Sequence, residues 1–115
     1  MLNFELTAEA EALLLALCQE YQRRRDCGSP RSSAAAFGSV GQIRQFLPGL
    51  WHPDDVLSCC WELHRAGLLA GFAADDSLAE ISLLEPAVVW FQQSGKRKFS
   101  EALDTVGRIR GAILP

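Results

Sequence analysis

The spacing of apolar residues changes character at Gly67, and that change limits what the chain can become. Before it, Val56, Cys59, Cys60 and Leu63 recur at three- and four-residue intervals, the pattern of one buried helix face. After it, "LLAGFA" (68–73) and "LAEISLL" (78–84) read as two short antiparallel strands joined by the turn-rich "ADDS" (74–77). Pro53 suits the first position of the helix, Asp54 and Asp55 suit its first turn, and Gly67 closes it. A helix that feeds straight into a hairpin points to an α+β domain.

The rest of the chain supplies the partners for that unit. Ala10, Leu13, Leu14, Leu17, Cys18 and Tyr21 form a single apolar stripe on a first helix. Thr7 is placed to cap it, Glu9 and Glu11 favour its positive end, and "QRRRDCGSP" (22–30) ends it. Phe4 and Leu6 precede it and are expected to fold back onto the core. Residues 28–38, "GSPRSSAAAFG", read as a linker in which "AAAF" can give a very short strand. Ser39 then caps a short second helix, "VGQIRQFL", with Val40, Ile43 and Leu47 inward and Pro48–Gly49 as its stop. Pro86 starts a further helical segment, "AVVWFQQ". The last stretch, "KRKFSEALDTVGRIRGAIL" (96–114), is amphipathic, although Gly107 and Gly111 weaken it as a helix.

At 115 residues the chain fits one compact domain, and 49% hydrophobic with 22% charged residues makes it globular rather than disordered. No stretch approaches the roughly 20 apolar residues that span a bilayer, and the apolar run near the N-terminus lacks a basic flank. A cytoplasmic protein with no membrane partner is the expectation. Cys18, Cys27, Cys59 and Cys60 match no zinc spacing, and adjacent cysteines on a helix point about 100° apart. They are expected to be reduced, small and mostly buried, with no metal bound. His52 and His64 lie near Cys59 and Cys60 without making a ligand set of known spacing. No nucleophile–histidine–carboxylate spacing, glycine-rich phosphate loop or inward carboxylate pair is present. The expectation is therefore a non-enzyme with no cofactor and no small-molecule substrate.

The order is helix, short strand, helix, helix, strand, strand, then two trailing helices. With "SVGQIRQFL", a turn, and "VLSCCWELHRAGLL" followed by "ISLLEPAVVWFQQ", residues from about 7 to 93 resemble a winged helix–turn–helix domain of the small bacterial regulator type. The resemblance implies a three-helix core with a two-stranded wing, and DNA as the usual partner. On this reading 1–93 is the winged-helix domain, and 94–115 is an extra amphipathic helix for dimerisation or packing. Its candidate dimer face is Phe99, Leu103, Val106, Ile109 and Ile113. Packing of that face onto the first helix of the same chain is an equally simple solution.

The third helix would be the recognition helix, and its outer side would carry Asp54, Asp55, Leu57, Ser58, Trp61, Glu62 and Arg65. A groove reader needs donors for bases and cations for phosphates. Residues 52–66 instead hold one arginine against three acids, and residues 68–84 hold Asp75, Asp76 and Glu80 with no cation. The whole chain carries only −3, so acidity is concentrated where a winged helix would meet DNA. Candidate phosphate contacts are Arg23, Arg24, Arg25, Arg31 and Arg44, beside the main helix rather than on it; Lys96, Arg97 and Lys98 form another basic group. Leu57 and Trp61 share one helix face, and tryptophan is enriched at the centres of protein interfaces. Two functions follow as expectations: a DNA-binding protein, a dimeric transcriptional regulator in its fullest form, or a winged-helix protein-interaction module that does not bind DNA. The first rests on what most domains of this shape do, the second on the unsuitable surface.

Overall fold

The computed structural model describes residues 5–47, 49, 51–74 and 77–95. In chain order these form α1 (Ala8–Asp26), α2 (Arg31–Ala35), β1 (Ala36–Gly38), α3 (Val40–Arg44), α4 (Pro53–Arg65), β2 (Leu69–Ala74), β3 (Ser77–Leu83) and α5 (Glu85–Trp90). A π-helical turn, Phe91–Gly95, follows α5 directly. The architecture is α+β, with N-terminal helices, a three-stranded antiparallel sheet and a short helix after it.

Thr7 starts α1: its hydroxyl accepts the Ala10 N–H at 3.2 Å, which satisfies one of the four donors left open at a helix start. Leu6 packs against the core, whereas Phe4 lies outside the described residues. Burial along α1 is broader than one stripe. Leu15 is fully buried together with Leu13, Leu14 and Leu17, because α4, α2, α5 and the π turn all pack on this helix. Each such leucine contributes about 1.5–3 kcal/mol of hydrophobic free energy.

The segment expected to be a linker holds the short helix α2. Its C-terminal carbonyls are orphans by helix geometry, and a side chain of α1 reaches them: Arg24 Nη1 donates to the carbonyls of Ala36 at 2.8 Å and Ala34 at 3.3 Å. Ser39 caps α3 in a reciprocal box: its hydroxyl accepts the Gln42 N–H at 3.2 Å, and Gln42 Oε1 accepts the Ser39 N–H at 2.9 Å. The helix itself ends at Arg44, and Leu47 reaches the core from the turn beyond it.

His52 caps α4 through Nδ1, which accepts the Asp54 N–H at 3.1 Å. At the other end Gly67 has φ +78, the Gly67 N–H donates to His64 O, and the Leu68 N–H donates to Leu63 O. Those two bonds and the left-handed residue turn the helix into β2.

The sheet order is β1-β3-β2, with Leu69 opposite Leu83 and Ala74 opposite Ser77. Between the pairs Ala70–Ser82 and Phe72–Ala79, β3 carries one extra residue. Glu80 accommodates it at φ +51, in the left-handed region. The bulge shifts the side-chain phase by one, so Leu78 turns inward along with Ile81 and Leu83. β1 has a similar irregularity between Ala36 and Gly38, at the buried Phe37. Among the described residues no helix is long and apolar enough to cross a membrane.

Candidate interaction face

On α4, Val56, Cys59, Cys60 and Leu63 are buried, and Asp54, Asp55, Ser58 and Arg65 are exposed. Leu57 and Trp61 are half-buried and pack against the core, with part of each left at the surface. The Trp61 ring stands edge-on to His64, with centroids 5.7 Å apart. His64 Nδ1 lies 3.0 Å from the Leu69 carbonyl, which can only accept, so this nitrogen carries the proton. His64 thus fastens the end of α4 to the first residue of β2.

Glu62 has a different role from its neighbours. Its carboxylate accepts the Thr7 N–H at 2.7 Å and the Thr7 hydroxyl at 3.0 Å. The Thr7 hydroxyl therefore donates to α4 while accepting from α1, and one residue ties the start of α1 to the C-terminal half of α4. Of the seven outer-face positions, four are exposed, two are half-buried and Glu62 is engaged by Thr7. Among the acids of the β2–β3 hairpin segment, Glu80 is exposed, whereas Asp75 and Asp76 lie outside the described residues.

The arginines are distributed unevenly. Arg23 donates to both oxygens of Glu20, at 2.8 and 2.7 Å, and Arg24 Nε donates to Glu20 at 2.9 Å. Hydrogen bonding from Arg23 first, then from Arg24, holds the Glu20 carboxyl down at about 2, against the cost of its partial burial. The same pairing raises Arg23. The Arg24 guanidinium also stacks over Phe37 and Phe46, 4.7 and 5.1 Å from their ring centroids. Arg25 Nη1 donates to the Ser29 carbonyl at 3.0 Å, and Arg44 Nε donates to the Trp51 carbonyl at 2.8 Å. Arg31 is exposed. Four of the five candidate phosphate contacts thus make polar contacts within the chain. A count of arginines could not foresee this, since three of the four bond to main-chain carbonyls.

Cys18, Cys59 and Cys60 are buried thiols and Cys27 is an exposed one. Burial pushes each of the three buried thiols up to about 12, and for Cys59 the carboxylates of Glu9, Glu62 and Asp55 add to the effect. Among the described residues no group of three or more histidine, cysteine or acidic side chains is placed to hold a metal ion. The candidate dimer face, Phe99, Leu103, Val106, Ile109 and Ile113, and the basic group Lys96, Arg97 and Lys98 lie outside the described residues.

A groove of about 640 Å³ lies on another side, between the C-terminal half of α1, α2 and α5. Tyr21, Ala35, Leu83, Val88 and Val89 give it an apolar lining with a charged rim. The sequence held a partial sign of it: Val88 and Val89 are adjacent on a short helix, so both cannot face one core. Comparison with protein-family models, with curated proteins and with solved structures finds no match to this chain.

Proposed function

We propose that the chain is a winged helix that serves as a protein-interaction module, with the outer side of α4 as its binding face. The helix, strand, helix, helix, strand, strand order of α1, β1, α3, α4, β2 and β3 supports the winged-helix reading. The observation that carries the function is the make-up of α4. Its exposed polar side chains are two carboxylates, one hydroxyl and one guanidinium, flanking the half-buried Leu57 and Trp61. Phosphate binding gains its free energy from cations that displace condensed counterions, and Arg65 alone offers that here. Arg23, Arg24, Arg25 and Arg44 already bond within the chain. The partner that fits is a basic protein segment with an apolar side chain to set against Leu57 and Trp61.

DNA binding, as a dimeric regulator, is the second reading. It is favoured by the helix–helix–hairpin order itself and by the exposed Arg31 and Arg65. A duplex titration at low salt separates the two. No shift at about 10 µM protein, within the ordinary range of non-specific affinity even at physiological salt, supports the interaction module. A shift whose log affinity falls linearly with log salt overturns it in favour of DNA binding. For a captured basic segment, Asp54→Lys with Asp55→Lys abolishes binding if α4 is the face. Unaltered binding by that variant places the partner elsewhere.

A further inference from the structure

We infer that β2 is an association edge, along which a second copy of the chain adds its own β2 antiparallel and continues the sheet through a two-fold axis. The order β1-β3-β2 leaves β2 with one strand neighbour among the described residues, so main-chain groups on its outer side have no ladder to join. The two edges of this sheet are guarded unequally. β1 has three residues, breaks register between Ala36 and Gly38, and gives its Ala36 carbonyl to Arg24. β2 has six residues, and the extra residue of the bulge lies on β3 instead. His64 takes the carbonyl of Leu69, the first residue of β2, and among the described residues no side-chain hydrogen bond reaches the strand beyond it. From Ala66 to Ala74 the chain has neither a charge nor a proline, two of the usual means of keeping a foreign strand off an edge.

Two features select a second copy as the occupant. The first is charge. Near a two-fold axis a charged side chain meets its own copy, so a symmetric strand pair needs a neutral centre. The outer side of α4 exposes Asp54 and Asp55, and the end of α1 exposes Arg23 and Arg25, each of which would face its like there. β2 carries no charge at all. The second is shape. Phe72, in the body of β2, is 54% exposed, more than any other large apolar side chain among the described residues. Its neighbours along the strand are Ala70, Gly71 and Ala73, so a ring brought in by the second copy finds room beside it.

The test is sedimentation velocity of the full chain from about 5 to about 500 µM, a range suited to strand pairs, which lie at the small and weak end of specific interfaces. The expected result is a mass that rises from monomer to dimer with concentration. Phe72→Lys sets two like charges beside the axis without opening the core, and is expected to raise the dimer dissociation constant about tenfold or more. An equimolar mixture of Phe72→Lys and Phe72→Glu is expected to associate again, which a local effect of either substitution on folding would not produce. A mass that stays monomeric throughout, association unchanged in Phe72→Lys, or a mixture no better than either variant alone overturns the inference; unchanged association assigns the contact to another face.

Discussion

Glu20 is the residue whose charge the fold uses most directly. Two arginines of its own helix hold its carboxyl at about 2, below the ordinary 4.5. A carboxylate depressed on folding stabilises the native state fully above its unfolded value, and that contribution is lost as pH falls through the folded one. Stability is therefore expected to decline as pH falls from about 4.5 towards 2, and the decline is shallower in Glu20→Gln, which is already weaker at neutral pH. Urea midpoints measured across that range check both statements. The thiols give a second expectation at this scale. With Cys18, Cys59 and Cys60 buried and raised to about 12, only Cys27 reacts with iodoacetamide in the native protein. All four react in denaturant, and labelling of Cys59 or Cys60 under native conditions would contradict the placement of the α4 inner face.

The elements differ in how plainly their residues announce them. Helix α4 and the hairpin were legible because their determinants are local: Pro53 and two aspartates at one end, Gly67 at the other, and a turn between two apolar runs. Even the bulge left a trace, since Leu78 and Ile81 are three apart in a strand that otherwise alternates. Helix α2 left none. "RSSAA" has no apolar period, and its last carbonyls are held by Arg24 from another helix, so its stability is tertiary in origin. Helix α3 shows how tightly a short element is specified. Gly38 has φ +80, and a Cβ there would collide with the Gln42 carboxamide that completes the Ser39 cap. Gly38→Ala thus combines a left-handed penalty with loss of the cap, and is expected to cost about 2 kcal/mol. Thermal unfolding of the variant measures it.

For the molecule as a whole, Arg24 ties more of the chain together than any single apolar contact does. Its guanidinium meets Glu20 on α1, the carbonyls that end α2 and enter β1, and the rings of Phe37 and Phe46. Arg24→Met keeps the stem and removes the fork, leaving Glu20 and those carbonyls short of donors. A loss of about 2–3 kcal/mol is expected, with only partial recovery in Arg24→Lys, whose point charge cannot serve several acceptors at fixed angles. Equilibrium denaturation of the pair is the measurement. The candidate site was legible to a lesser degree than the fold. Helical spacing put Asp54, Asp55, Ser58 and Arg65 outward, and they are exposed; it also put Glu62 there, because no periodicity reports a bond across 55 residues to Thr7.

That bond makes the α4 surface and the entry to α1 a single thermodynamic unit. A ligand that takes the Glu62 carboxylate leaves the Thr7 amide and hydroxyl without their acceptor, so occupancy of α4 and fraying at the head of α1 rise together. By linkage the converse holds with equal magnitude: whatever firms up the first turn of α1 weakens any ligand that competes for Glu62. On the proposed reading, a ligand at Glu62 and the first turn of α1 would therefore each report on the other across 55 residues of chain.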